Sequence, residues 1–331
     1  MNIIRHAAAV AAALFSLSMV TPGTALSQGA AANYPNKPVR VVVPFPPGAS
    51  NDIIARLLAH KLSEFLGQQF VVDNRPGAGG LIGGEIAASA APDGHTLLFA
   101  NPAPSINSIL MSRKPPYRMG DFAPVMFIGY VPLIIVSAPS FPPNDGKQLL
   151  AYAKANPGKV NWASSGNGSS LHIGLALFQA ATGADVVHVP YKGTAPALTD
   201  VIAGRVNLMY TTSVSADAHI KSGRVKVLGV AAPKRQAVLP NVPTLAEEGI
   251  RNAEATVWFG VSAPARTPRA IIGKLNSELN KALALPDAKK RLDELGLVVL
   301  GGTPEEFAAF LKNEAEKMGG LIKTGRVQMN N

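Results

Sequence analysis

Ser164-Ser165-Gly166-Asn167-Gly168-Ser169-Ser170, with His172 in the next turn, gathers hydroxyls, permissive glycines and an imidazole into one short stretch. Two chemistries fit such a stretch. The first is nucleophilic catalysis by Ser165 or Ser169 with His172 as base, the arrangement of an exported serine hydrolase. That needs an activated hydroxyl and a third group to orient the ring. The sequence has no G-x-S-x-G elbow and places no carboxylate beside the imidazole. The second chemistry is anion binding. A strand over Val160–Ser164 and a helix over Leu171–Ala181 leave unpaired N–H groups at a helix start, where the helix dipole also favours negative charge. Ser164, Ser165, Asn167, Gly168, Ser169 and His172 are then ligand-binding residues.

A second stretch of the same design lies near the N-terminal end. The β-branched run Val39–Val43 predicts a buried strand, and Pro44-Phe45-Pro46-Pro47-Gly48 a stiff turn. Ser50 or Asn51 can cap the following helix, whose apolar residues Ile54, Leu57, Leu58, Leu62 and Phe65 recur at helical spacing. This unit offers a place to hold a carboxylate, with Asp52 either meeting a ligand amine or hydroxyl or tying down its own loop. A third junction, Val187-His188-Val189-Pro190-Tyr191-Lys192-Gly193, puts the Tyr191 ring in the cleft, its hydroxyl free to bond a polar group of a small molecule.

Other chemistries are excluded. Asn74-Arg75-Pro76-Gly77-Ala78-Gly79-Gly80-Leu81-Ile82-Gly83-Gly84 follows a strand, but its sixth position from Gly77 is Ile82, so it is a close-packed turn rather than a dinucleotide fingerprint. The six histidines are scattered, and there are no cysteines, so no metal site, disulfide or thiolate is expected. The net charge of +10 is spread along the chain and aromatics are 6%, a solvated surface rather than a nucleic-acid footprint.

These loops need a frame to position them. Arg5, the apolar run Ala7–Val20 and the small residues Ala25-Leu26-Ser27 make a signal peptide of residues 1–27, cleaved after Ser27. The mature chain is exported and, at 47% hydrophobic residues, can fill two cores. Strands are expected at Val39–Val43, Gln69–Asp73, Thr96–Ala100, Leu133–Ser137, Val160–Ser164, Val186–Val189, Val206–Tyr210 and Val225–Val230. Helices fall between most of them, including Ile53–Leu66, Lys147–Ala155, Leu171–Ala181 and Pro196–Ala203. This alternation predicts parallel sheets covered by helices. The last part is helical: Thr267 caps a helix starting at Pro268, Pro286 starts another, and Thr303 with Glu306 forms a capping box. Two Pro-punctuated extended stretches, Val125 to Ser137 and Thr256 to Pro264, cross between lobes. Residues 28–131 with 255–331 then form a discontinuous lobe 1, and 132–254 an inserted lobe 2, with the ligand cleft between them.

The ordered set Pro44 to Asp52, Asn74 to Gly80, Ala91-Pro92-Asp93-Gly94-His95-Thr96-Leu97-Leu98, Ser164 to Ser169, Pro190 to Gly193, Trp258-Phe259-Gly260 and Ala263-Pro264 resembles the tripartite tricarboxylate transporter substrate-binding proteins, the Bordetella uptake gene family. The resemblance runs from about Asn33 to Gly325. It implies an α/β type II periplasmic-binding-protein fold, two lobes closing on a ligand like a Venus flytrap. It also implies a monomeric periplasmic receptor without cofactor, delivering a small carboxylate to inner-membrane transporter subunits or presenting it to a sensor protein. The family's ligand loops match Phe45, Pro47, Gly48, Ala49, Ser50, Asn51 and Asp52, and Ser164 to Ser170; its third loop matches Ala100 and Asn101. An acid common in the family after the Val206–Tyr210 strand is replaced here by Thr211-Thr212-Ser213, with Thr212 a ligand contact, which weighs against an amine-bearing ligand.

Overall fold

The computed structural model describes residues 32–100 and 116–323. The proposed signal peptide and Asn101 lie outside the described residues. In chain order the elements are β1 (Val39–Val43), α1 (Ser50–Leu66), β2 (Phe70–Asn74), α2 (Leu81–Ala88), β3 (Thr96–Ala100) and β4 (Phe122–Ser137). Then come α3 (Gly146–Ala155), β5 (Asn161–Ser164), α4 (Ser170–Thr182), β6 (Val187–Pro190), α5 (Thr194–Ile202), β7 (Leu208–Thr212), α6 (Ser213–Lys221) and β8 (Lys226–Val230). The chain closes with β9 (Thr256–Pro264), α7 (Arg269–Ala284), α8 (Pro286–Glu294), β10 (Val298–Val299) and α9 (Pro304–Lys323).

Two half-sheets share one long strand. In the first, β2, β1 and β3 are parallel neighbours, followed by β9 and the first part of β4. In the second, β6, β5 and β7 are parallel, and β7 and β8 both pair antiparallel with the last part of β4. The parallel part is as expected from strand–helix alternation. The two crossing stretches are extended as expected, but local pattern does not disclose that they pair with one another: β4 and β9 run antiparallel from Phe122↔Pro264 to Pro132↔Thr256, and the pairing continues through the Leu133 N–H bond to the Ala255 carbonyl. The chain thus leaves and re-enters the first half through adjacent, mutually bonded strands. At Gly129 β4 bulges with φ +151°, and a Cβ there would strike the carbonyl of Val298 in β10.

Apolar side chains of both halves join into one continuous cluster. Ile54, Leu58 and Leu62 of α1, one helical turn apart, pack on Val39, Val41 and Val43, and Gly67 ends the helix in the left-handed conformation. Trp162 and Phe178 pack with Tyr210 in the second half. On the other face of the first half-sheet, Phe127, Trp258, Phe307 and Phe310 form an aromatic cluster under α9. Among the described residues no helix is long and apolar enough to cross a membrane.

The predicted caps are partly corrected. Thr303 and Glu306 do form the capping box, each accepting the other's backbone N–H. Thr267 does not cap α7: its hydroxyl donates to the Pro264 carbonyl, and Pro268 holds the cap position without a side-chain bond. Nor does Ser50 or Asn51 cap α1; both are already helical, and the cap is Ala49.

Candidate functional site

The β1–α1 turn is held from outside by one carboxylate. Asp52 accepts the Gly48 N–H at 3.0 Å through Oδ2, and the Asn74 amide at 3.0 Å and the Arg56 guanidinium at 2.9 Å through Oδ1. Asn74 also donates to the Phe45 carbonyl at 3.0 Å. Burial works against ionisation of Asp52, yet Arg56, the Gly48 N–H and Asn74 together hold its carboxyl below the ordinary value. With both oxygens engaged, Asp52 braces its loop. Gly48 has φ +82° and open space around it, so a glycine is required there by backbone conformation rather than by close packing. Pro47 and Gly48 are exposed, whereas Phe45, Ala49, Ser50 and Asn51 are buried.

The β5–α4 turn is held from within. The Ser169 hydroxyl accepts the His172 N–H at 3.3 Å and caps α4. The His172 ring takes the Gly168 N–H at 3.2 Å on Nδ1, which places the proton of the neutral ring on Nε2. That ring stacks on His188 with centroids 3.8 Å apart, and His188 Nε2 lies 2.6 Å from the Ser164 hydroxyl, which also accepts the Gly166 N–H. Burial, reinforced by His188, pushes His172 down to about 3, and burial alone pushes His188 down to about 4. Both rings are therefore neutral at neutral pH. The Ser–His pairing that a hydrolase would need does not form: Ser169 meets the His172 backbone N–H, and among the described residues no carboxylate orients either ring.

A shared cleft brings the two turns together. Phe45, Ala49, Ser50 and Asn51 line it from one side and Val257 of β9 borders it. Ser165, Ser170, Leu171, Thr194, Thr211, Thr212 and Ser215 line the other. The sequence-predicted contacts Phe45, Ala49, Ser50, Asn51, Ser165 and Thr212 thus meet in one place. Gly168, Ser164, Ser169 and His172 stand behind them as the support of the turn, Asn167 is exposed, and Ala100 is buried at the end of β3. Tyr191 departs from its predicted place: its hydroxyl donates to Asp200 at 2.8 Å, and it is not among the lining residues. Burial first and Asp200 second push its phenol up to about 12.

Thr194, Thr211 and Ser215 are functional candidates that sequence reasoning missed. A threonine at the end of a strand or the start of a helix looks like ordinary β-propensity or capping. Only the fold shows that β7, α5 and α6 bring them to the same wall.

The lobes touch across this cleft. A Cβ on Gly193 would lie 2.6 Å from Cγ of Pro46, and one on Gly166 would lie 3.8 Å from the Gly79 nitrogen. Glycines let the facing loops meet. None of the described lining residues is charged, and no group of three or more metal-ligating side chains occurs among the described residues. The chemical capacity of the cleft is thus hydrogen bonding by neutral donors at helix starts, which suits an anion.

Comparison with known proteins gives the same direction. Residues 54–326 match the tripartite tricarboxylate transporter family receptor. Among solved structures, the periplasmic binding protein BugD is 36% identical with a TM-score of 0.85, covering 90% of this chain and 100% of its own. Rhodopseudomonas palustris Rpa4515 with adipate is 34% identical, TM-score 0.85, covering 89% and 99%. MatC from the same organism with bound malate is 32% identical, TM-score 0.82, covering 87% and 100%. The chain belongs to the tripartite tricarboxylate transporter receptor family and has the two-lobed α/β fold of its periplasmic binding proteins.

Proposed function

We propose that this family member captures a small carboxylate in the periplasm by closing its lobes, residues 28–131 with 255–331 and residues 132–254, and hands it to inner-membrane transporter subunits of the tripartite tricarboxylate type. The hinge in this reading is the paired stretch around Pro132 and Thr256. The observation that carries it is the pair of strand–turn–helix junctions facing one another across an uncharged cleft. Each ends in a helix start whose third N–H is held by its own turn, Asp52 by the Ala49 carbonyl and His172 by the Ser169 hydroxyl, while the first two N–H groups precede any intrahelical acceptor. One junction comes from each lobe, so a ligand bound to both favours the closed form over the open one.

Export follows from the N-terminal residues, with cleavage after Ser27, and the receptor acts as a monomer. Catalysis is not part of the reading: the imidazoles next to the loop serine are neutral, stacked on one another and engaged with the turn. The carboxylates held by two relatives, adipate and malate, support the ligand class.

The test is thermal unfolding of the mature chain with a panel of carboxylates, followed by recovery of the best ligand. A specific ligand at 100 times its Kd is expected to add about 2.7 kcal/mol of stability, and the recovered acid should be unchanged by mass. A panel without a single stabilising acid, or a ligand returned as product, overturns the proposal.

A further inference from the structure

The lobes meet at a third place, apart from the crossing strands and the mouth of the cleft. β9 and β10 pair with the same two residues of β4, Gly129 and Tyr130, and so occupy its two edges. Beyond Pro132, Leu133 turns its N–H and carbonyl to the β9 edge, toward Ala255 and Ala231, and β7 takes the other edge. The lobe 1 strand β10 and the lobe 2 strand β7 therefore follow one another along a single edge of β4. β7 ends at Thr212, opposite Leu133, so Ser213 falls level with the hinge. The Ser213 hydroxyl donates to the Leu295 carbonyl of lobe 1 at 3.2 Å. Gln236, on the chain after β8, donates to the Pro132 carbonyl at 2.9 Å. Against both side chains sits Gly296, at φ +74°, where a Cβ would lie 2.6 Å from the Ser213 hydroxyl and 3.3 Å from the Gln236 Oε1. Ser213, Gln236 and Leu295 are buried.

We infer that Ser213 and Gln236, seated on the Leu295–Gly296 corner, are positioning residues: they latch the lobes closed and so set ligand affinity from outside the cleft. The inference rests on the proposed function and names what regulates its site. Rotation about Pro132 and Thr256 carries lobe 2 past this corner. The latch is made in the same arrangement that brings Gly193 against Pro46 at the mouth, so the two contacts belong together to the closed form. Opening gives up the buried Ser213 bond, a difference of about threefold to tenfold in favour of closure. The Gln236 Oε1 has no partner among the described residues, so the joint is held by few bonds and yields to rotation. Apparent affinity scales with the fraction of molecules that are closed. The β7–α6 junction thus faces the cleft through Thr211 and Thr212 and the latch through Ser213.

The experiment needs no ligand. The chain has no cysteine, so nitroxide labels placed through His60→Cys on α1 and Lys192→Cys next to Gly193 report the separation of the lobes alone. Both positions are exposed. Pulsed electron resonance on the mature chain is expected to show a shorter and a longer separation. Ser213→Ala and Gln236→Leu should each lower the short-to-long ratio about threefold to tenfold. Melting temperature is measured in parallel, and the second variant serves if the first unfolds early. A lower melting temperature with the ratio unchanged in both folded variants marks a contact that only supports the fold, and overturns the latch. A ratio that rises overturns it as well, because the contact then holds the lobes open. A ratio that falls as expected in a chain that no carboxylate stabilises sinks the proposed function and leaves the latch standing.

Discussion

Ala49 and Ser169 occupy the same position in two matching junctions. Each precedes a cleft-facing helix, and each has φ −72° and ψ 158°. Ser169 spends its hydroxyl on the third N–H of its own helix, whereas Ala49 has nothing to spend. The backbone conformation needed for a helix start is therefore independent of the side chain that usually accompanies it. The third N–H is engaged in both lobes, by the Ala49 carbonyl at 3.0 Å in lobe 1 and by the Ser169 hydroxyl at 3.3 Å in lobe 2.

The supports differ in the same way. Lobe 1 braces its turn with an ionised carboxylate, Asp52, paired to the exposed side of α1 through Arg56. Lobe 2 braces its turn with two neutral, stacked imidazoles. One support depends on a charge being present and the other on a charge being absent, so the two halves respond differently to acid and to substitution.

The largest effect is expected where the two regions touch. Gly193→Ala sets a methyl against Pro46 across the cleft and should wedge the lobes apart, reducing ligand affinity by about 100-fold through loss of the closed population. Because Gly193 has φ +131°, the methyl also strains its own backbone. The double variant Pro46→Ala with Gly193→Ala separates these effects. Removing the proline ring should restore most of the affinity while leaving the melting temperature low. If affinity stays lost in the double variant, the contact between lobes is not what the glycine serves.

A smaller effect distinguishes the supports by pH. An unfolded histidine titrates near the ordinary value of 6.5, whereas folded His172 and His188 are held down to about 3 and about 4. As pH falls below 6.5 the unfolded chain binds protons that the native rings refuse, so stability is full above that pH and is lost progressively down to the folded values. Asp52 contributes in a more acid window: its stabilisation is present above the ordinary carboxylate value and is lost as pH falls through its depressed one. His188→Gln should flatten the fall in melting temperature between pH 6.5 and 4, and Asp52→Asn should leave that slope unaltered. An identical slope in wild type and His188→Gln would show that the imidazole stack does not titrate on unfolding.

The junctions themselves were legible because their signals are local: a β-branched run, Pro and Gly, then apolar residues at helical spacing. What sequence could not disclose is long-range. The antiparallel pairing of β4 with β9 joins residues more than a hundred positions apart, and the Tyr191 hydroxyl is captured by Asp200 on a helix whose orientation no local pattern states. Thr194 and Thr211 have the residue type expected of ordinary structure, and only the convergence of α5 with β7 makes them site candidates. The misplaced cap is more instructive. Ser50 and Asn51 are the better capping residues by type, yet Ala49 has the conformation, because the stiff Pro44–Gly48 turn sets where the chain enters the helix.

That misplaced cap yields the smallest and most discriminating test. Ala49→Ser gives lobe 1 the residue that lobe 2 uses, in a backbone already set at the dihedrals of Ser169. The new hydroxyl should share the Asp52 N–H, which now bonds the Ala49 carbonyl at 3.0 Å, and add about 0.5 kcal/mol of stability. The same hydroxyl enters the wall of the cleft, since Ala49 is a lining residue, and competes with the ligand for the helix start. Affinity should therefore fall about threefold to tenfold while the melting temperature rises. Ser169→Ala is the converse: it removes a cap worth about 1 kcal/mol, lowers the melting temperature, and frees an N–H on the lobe 2 side. Thermal unfolding and titration of the two single variants give four signs, with stability and affinity moving in opposite directions in Ala49→Ser. If Ala49→Ser raises both, the lobe 1 wall at position 49 is not kept free of a hydroxyl for a ligand. Alanine at that position is then a conformational accident of the proline-rich turn.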